Sequence, residues 1–288
     1  MEGLLWDINA IDALEPSSVV TFNSTVPVAA ERHIGSGYVM PSSRGIHIRR
    51  DCFDKAMLEQ AMALGVEVLC DRVIGLEITR NRATQVRLLS GTKITARHFL
   101  DGSGRRRAIG RHLSRNQSYS PPMLVRTGVI EEAAHHFTSF STSFSPRPRG
   151  WLWCTPSIYG YFTWTKLFLP GDRNEHELRN LTICSSFGSV KTADARWRIS
   201  QPLDVDGVLL IGEASGYLDP AWGQGVLHAL QSGILAAKTV IASICNPKDQ
   251  EYLRGAYDKW RLKSFLTAAA ALRSAYVESD IQLKIPEV

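Results

Sequence analysis

A chain of 288 residues with 44% hydrophobic and 21% charged side chains can bury one large core or two modest ones, which excludes a disordered or low-complexity polypeptide. The net charge of +5 and pI near 9.0 come from scattered basic residues, with only Arg105-Arg106-Arg107 clustered and no nucleic-acid-binding motif beside them. The excess reads as mild attraction for phosphate-bearing ligands, not as a nucleic-acid surface.

Five cysteines (Cys52, Cys70, Cys154, Cys184 and Cys245) are odd in number and contain no CxxC pair. They argue against a disulfide scaffold or a zinc site and for reduced thiols in the cytoplasm. No segment reads as apolar for long enough to span a bilayer, and no basic-then-apolar leader opens the chain.

Periodicity is weak over the first 45 residues, where Ile8 to Leu14 suits a short helix and Val19 to Phe22 a strand. The pattern clears at Arg50. Phe53, Met57, Ala61 and Leu64 fall at helical spacing, and Gly65 is placed to cap that helix. Val66 to Leu69, Val73 to Ile78, Ala83 to Leu89 and Lys93 to Leu100 then read as successive strands, with turns at Asn81-Arg82 and Ser90-Gly91. The last strand runs into Asp101-Gly102-Ser103-Gly104. Its glycines imitate a GxGxxG turn, but Arg107 stands in the third glycine's place and would obstruct helix–strand packing.

Residues 116 to 202 change character. Leu124 to Ile130, Phe137 to Phe144, Trp151 to Thr155, Tyr161 to Phe168, Asn180 to Ser185 and Arg196 to Gln201 are aromatic and β-branched runs, predicting an inserted antiparallel sheet. Trp151 and Trp153 share one strand face as an aromatic wall, which two core tryptophans would also explain. His135-His136 have no third ligand at metal spacing, so no metal site is expected.

The stretch from Val208 to Val240 is the most informative. A short buried-type strand ends at Gly212 and Glu213, and a turn-rich segment carries Asp219-Pro220 and Gly223-Gln224-Gly225. A helix follows with apolar residues at Val226, Leu230, Ile234, Ala237, Ile241 and Ile244. Strand, acid, glycine-rich turn and helix suit a dinucleotide. The acid accepts from sugar or ribityl hydroxyls, bare backbone lets a ligand approach, and the helix N-terminus offers unpaired N–H donors. Its Ile234–Ile244 part, carrying Lys238, reads as a short buried helix, and the tail from Asp249 to about Val277 as a packing helix with Tyr252, Ala256, Trp260 and Lys263 on successive turns.

This stretch resembles the second FAD-binding motif of the flavoprotein superfamily of aromatic-ring hydroxylases, flavin-dependent halogenases and geranylgeranyl reductases, with Glu213 where an aspartate is usual. Asp101-Gly102 looks like that superfamily's DG segment. Arg50 to Asp54 is similar to its R-x-x-F-D segment, whose arginine lies near the FAD diphosphate. Gly150 to Pro156 (GWLWCTP) resembles the halogenase WxWxIP run, also found in related hydroxylases and in flavoproteins that modify tryptophan during quinone-cofactor formation.

The resemblance implies an α/β (α+β) FAD/NAD(P)-binding domain of the glutathione-reductase or hydroxylase type. Residues 1–115 and 203–247 would form the cofactor domain, 116–202 the substrate sheet and 248–288 a helical segment. It implies FAD held by Arg50, Asp101, Gly102, Gly212, Glu213, Asp219, Pro220, Gly223, Gln224 and Gly225, with Trp151 and Trp153 facing substrate. The expected activity is monooxygenation of a bulky aromatic or hydrophobic small molecule or peptide through a flavin hydroperoxide, with electrons from a separate flavin reductase or NAD(P)H. Alternatives are a halogenase-like or tryptophan-modifying enzyme, or a non-catalytic homologue. The superfamily's N-terminal βαβ unit with GxGxxG has no match here, so this chain is expected to bind FAD weakly or not at all.

Overall fold

A computed structural model describes residues 19–23, 44–48, 50–113, 116–131, 143–147, 149–156, 161–169 and 185–283. The short helix expected over Ile8 to Leu14, His135-His136, most of the Phe137–Phe144 and Asn180–Ser185 runs, and the first-unit question all fall outside these residues. Strand β1 (Val19–Asn23) forms as expected and pairs antiparallel with β2 (Arg44–Ile48).

Helix α1 (Arg50–Ala63) buries Phe53 and stops where the spacing predicts. Gly65 adopts φ +89°, its N–H donates to the Met62 carbonyl, and the Val66 N–H donates back to Ala61, a double bond pattern that satisfies the last carbonyls. Val66 to Leu69 is a correction: the segment is irregular and Val66, Val68 and Leu69 are exposed. An apolar run of four is a strand only if a neighbour offers a ladder, and no described strand does.

The meander that follows, β3 (Val73–Thr79), β4 (Arg82–Leu88) and β5 (Lys93–Thr95), is antiparallel in the order β3-β4-β5. Arg80 and Asn81 both take positive φ, 49° and 60°, giving the hairpin a turn whose twist matches its strands. The expected Lys93–Leu100 strand is split. After β5 the chain leaves the meander and enters β6 (Phe99–Asp101), which pairs in parallel with β14 (Val208–Leu210). Ala83, Val86, Phe99, Val208 and Leu210 form the core beneath these strands.

Between them lie β7 (Asn116–Ser118), β8 (Leu124–Glu131), β9 (Ser143–Arg147), β10 (Gly150–Pro156), β11 (Tyr161–Phe168), β12 (Ser185–Asp194) and β13 (Arg198–Ser200). Five of them make the antiparallel sheet β12-β8-β11-β10-β9, as expected of the inserted segment. β13 joins β7 and β15 (Gly216–Tyr217) in a small sheet. Two helices close the fold, α2 (Gly225–Cys245) and α3 (Gln250–Glu278). The largest core lies where the sheet meets α3, around Met123, Trp151, Trp197, Phe265, Leu272 and Tyr276.

The helix expected from Val226 forms as α2, beginning at Gly225. Contrary to the expectation that no segment is apolar for long enough, it could cross a membrane by length and composition alone. Yet its buried residues are His228, Ser232, Ala236 and Ser243, while Ile241 and Ile244 from the apolar stripe are exposed. The inner face packs against β14 and the turn behind it through small and hydrogen-bonding side chains, with Leu235 and Val240 partly buried beside them.

Candidate cofactor site

Parallel pairing of β6 with β14 aligns Asp101 with Leu210, so both strands end side by side. Asp101-Gly102 and Gly212-Glu213, far apart in sequence, therefore meet at the carboxyl ends of parallel strands, where α/β sheets gather their ligands. The approach is tight. A Cβ on Gly102 would lie 3.2 Å from Ile211 Cδ1, and one on Gly104 would lie 3.8 Å from Glu213 Oε2.

Asp101 is buried and works on its own loop. One carboxylate oxygen accepts from the Ser103 N–H (3.0 Å) and hydroxyl (2.6 Å), the other from the Ile109 and Gly110 N–H groups (2.9 and 2.8 Å). Residues Gly104–Arg106 form a single 3-10 turn ended by Arg107 at φ 49°, not the opening of a helix. Arg107 turns inward and donates to the Gly110 carbonyl at 3.1 Å. This is the structural counterpart of the mismatch that Arg107 makes with a GxGxxG turn.

Arg105 faces the other way. It pairs with Glu213 at 3.4 Å, donates to the Asp194 carbonyl at 2.6 Å and lies over the Tyr217 ring, 4.9 Å from its centroid. Glu213 is exposed. Gly212 takes φ +54° and donates its N–H to Ser232 Oγ at 2.8 Å, anchoring the turn to α2. Ser232 in turn donates to the His228 carbonyl at 2.7 Å.

Asp219 opens a 3-10 turn, Pro220–Trp222, by accepting from the Ala221 N–H at 3.0 Å. Gly223 closes that turn at φ +67°, and α2 starts two residues later. Among the described residues no side chain caps its first turn, and a Cβ added at Gly225 would meet nothing within 4 Å beyond its own stretch of helix. Uncapped N–H donors thus stand at the start of a long helix whose first residue has open space at its α-carbon.

The Asp219 carboxylate does not face that space. It is fully buried and accepts from Trp197 Nε1 (2.6 Å) and from the Tyr276 hydroxyl (2.7 and 2.8 Å to its two oxygens). Trp151 Nε1 donates to the same hydroxyl at 2.8 Å. Burial pushes the Asp219 carboxyl up to about 6, against the pull of these donors. Trp151 is therefore a core residue, edge-on to the partly exposed Trp153 with ring centroids 6.5 Å apart.

Helix α3 clamps the site from behind. Tyr257 donates its hydroxyl proton to the Leu210 carbonyl (2.7 Å), and Arg261, buried, donates to the carbonyls of Ser200 (2.6 Å) and Ser215 (3.3 Å). Sequence reading followed Tyr252, Ala256, Trp260 and Lys263, but Tyr252 and Lys263 are exposed; the buried face is Tyr257, Arg261, Phe265, Ala269, Leu272 and Tyr276. The four-residue spacing from Tyr257 to Ala269 was visible, and a charged residue within it disguised the stripe. Arg50 lies at the start of α1, exposed, with both Nε and Nη2 at 3.0 Å from the two Asp54 oxygens.

The arrangement offers groups suited to holding a flavin nucleotide. It offers side-chain-free backbone at Gly102, Gly223 and Gly225, uncapped helix donors, and an exposed carboxylate beside a guanidinium. Gly102 and Gly104 come close to Ile211 and Glu213, and Gly223, Gln224 and Gly225 lead into α2, whereas Asp101 and Asp219 brace their own loops and the Arg50 guanidinium is engaged by Asp54.

Solved structures share this fold. The flavin-dependent brominase Bmp2 superposes with a TM-score of 0.76 at 16% identity, over 96% of this chain and 76% of its own. QhpG, a peptidyl tryptophan dihydroxylase essential for tryptophylquinone cofactor biogenesis, superposes with a TM-score of 0.74 at 17% identity, over 99% and 66%. CndH, the myxobacterial chondrochloren halogenase described as a variant of FAD-dependent halogenases, superposes with a TM-score of 0.72 at 16% identity, over 96% and 70%. Among curated proteins, digeranylgeranylglycerophospholipid reductase of Methanosarcina acetivorans is 24% identical over 274 residues, 86% of this chain and 65% of the reductase. The chain thus spans just under two thirds of that relative's length. The family model described as tryptophan halogenase matches residues 30–276. The chain belongs to the tryptophan halogenase family, within the FAD-dependent oxidoreductase superfamily, and FAD is the cofactor of that family and of its structural neighbours.

Proposed function

We propose that this chain is a FAD-dependent monooxygenase acting on a bulky aromatic or hydrophobic substrate. The observation that carries the reading is the meeting of Asp101-Gly102 with the Gly212-Glu213 turn at the carboxyl ends of β6 and β14, with that turn anchored on α2 through Ser232. Bound FAD would supply the redox and oxygen-activating chemistry. The chain's own part is to hold and polarise it. The N–H groups of Gln224 and Gly225 would stabilise negative charge on the ring's pyrimidine edge. Glu213 would accept from ribityl hydroxyls while Arg105 orients it. Asp101 and Asp219 position these loops without touching the cofactor, and Arg50 would reach a diphosphate only by exchanging Asp54 for it.

The division into a cofactor domain (1–115 and 203–247), a substrate sheet (116–202) and a helical segment (248–288) belongs to the same proposal, with electrons from a separate flavin reductase or NAD(P)H. Trp153, partly exposed, is the member of the tryptophan pair that would reach substrate. Cytoplasmic placement fits Cys52, Cys70 and Cys245, none of them in a disulfide.

Halogenation is the second reading, favoured by the family match and by Gly150 to Pro156. The two part in one experiment. The protein is supplied with FAD, a flavin reductase, NADH and an indole acceptor, with and without bromide, and the products are weighed by mass spectrometry. Gain of one oxygen supports monooxygenation, and a bromine isotope pair supports halogenation. An unchanged acceptor in both arms contradicts both.

A further inference from the structure

Helix α2 meets two different surroundings. One face packs towards β14 and the Gly212 turn, yet only 17% of the helix's most apolar stretch is buried. The outer face repeats Ile234, Ala237, Ile241, Ile244 and Cys245, and Ile241 and Ile244 are 61% and 42% exposed. Beyond the turn that ends α2, Tyr252 at the start of α3 is exposed as well. Branched aliphatic side chains left in water forgo the burial that drives folding, and a row of them marks a surface that meets another apolar phase.

The charge along this row is of one sign. No Asp or Glu occurs in the 21 residues of α2, and its Lys238 stands on the row between Ile234 and Ile241. Lys238 shares an open groove with Trp260 and Ser264, so the outward side of α3 continues the same surface. Lys259 and Lys263 are exposed on α3, and Lys248 is exposed in the turn that joins the helices. Acids are fewer here: Asp258 holds Arg261 at 2.7 Å, leaving Asp249 and Glu251 by the turn. Helix α1 exposes Leu58 and Met62 too, but that helix carries Asp51, Asp54 and Glu59.

An apolar row flanked by lysines, with a tyrosine beside it, suits the boundary of an anionic bilayer. Aliphatic groups enter the acyl edge while ammonium groups stay among the phosphates. A second copy of the chain fits less well, because twofold pairing on this face would set lysines against lysines.

We propose that the outer face of α2, continued by the start of α3, docks the protein on the surface of an anionic phospholipid membrane. Ile241 and Ile244 enter the interface, and Lys238 meets the headgroups. The helix lies along the membrane and does not span it, since its other face holds Ser232 against the Gly212 turn and Ala236 against Leu209. None of these outer residues belongs to the cofactor loop, so the inference stands apart from the flavin reading.

The test sediments the full chain with vesicles of phosphatidylcholine alone or mixed with an equal part of phosphatidylglycerol. One lysine near an anionic surface is worth roughly fivefold in partitioning, so the mixed vesicles should bind at least about fivefold more tightly. High salt should erase that preference. Ile241→Glu should weaken binding to mixed vesicles at least roughly tenfold, and Lys238→Gln about fivefold. Leu58→Glu on α1 should leave it unchanged. All three positions are exposed, and circular dichroism confirms that each variant folds. No binding of the native chain to mixed vesicles, equal binding to both kinds, or native-like binding by Ile241→Glu overturns the proposal. So does a dimer in gel filtration that Ile241→Glu dissolves without any uptake by vesicles, which assigns the face to a second copy.

Discussion

Asp219 and His228 are buried within one turn of the same loop–helix junction, and their burial acts in opposite senses. The Asp219 carboxyl, near 3.8 when free, is pushed to about 6 in the fold; the His228 imidazole, near 6.5 when free, is pushed to about 4. With its folded value raised, Asp219 favours the fold most below about pH 4, and that contribution is lost as pH rises through 6. With its folded value depressed, His228 favours the fold above about pH 6.5 and loses that contribution as pH falls towards 4. Each shift corresponds to about 3 kcal/mol, so the two nearly cancel between pH 4 and 6. Replacing His228→Asn removes one side of this balance. Relative to the native protein, the variant's unfolding free energy should rise by about 3 kcal/mol as pH is lowered from roughly 6.5 to 4. Urea denaturation at both ends of that range measures it, and a pH-independent difference would refute the assignment. Sequence reading singled out neither His228 nor Tyr276. Nothing in spacing says that a histidine faces Ser215 and two tryptophans, or that a tyrosine near the end of the tail reaches Asp219.

Among the elements, α2 shows how a periodic pattern can be right about type and wrong about face. Its apolar residues promised an inward stripe, yet the inward residues include Ser232, whose hydroxyl takes the Gly212 N–H. Close approach of helix to turn selects a small side chain there, and Ile241 and Ile244 are left on the exposed side. Removing that acceptor with Ser232→Ala leaves a buried N–H unsatisfied, which should cost about 2 kcal/mol and weaken FAD binding severalfold. Thr239→Ala, which loses only a hydroxyl bond to the preceding turn's Leu235 carbonyl, should change stability by less than about 0.5 kcal/mol. Thermal melts of the two variants side by side decide this; equal losses would mean that the serine does not hold the turn. By contrast, the Gly65 stop of α1 and the β3–β4 hairpin were legible because their signals are local.

Across the whole molecule, the Trp151–Tyr276–Asp219–Trp197 hydrogen bonds join the antiparallel sheet, the C-terminal helix and the cofactor loop in one buried network. Units tied this way unfold together, so tryptophan fluorescence and far-UV circular dichroism should report one coincident transition in denaturant. Two separated transitions would show the sheet to be independent of the cofactor unit. This scale was the least legible from residues alone. Parallel pairing of β6 with β14 joins segments separated by the whole inserted sheet, and periodicity carries no information about such partners; only the motif resemblance placed the two ends together. The central claim is that FAD lies against the bare backbone before α2, and Gly225 offers the sharpest probe of it. A Cβ there meets no atom within 4 Å beyond its own stretch of helix, so Gly225→Ala should not lower the melting temperature, yet it would stand where the flavin must approach. Flavin fluorescence titration should show weak but measurable FAD binding to the native chain and at least roughly tenfold weaker binding to the variant, a loss of about 1.4 kcal/mol. Equal FAD affinity in the two proteins, or no binding to the native chain, would contradict the account.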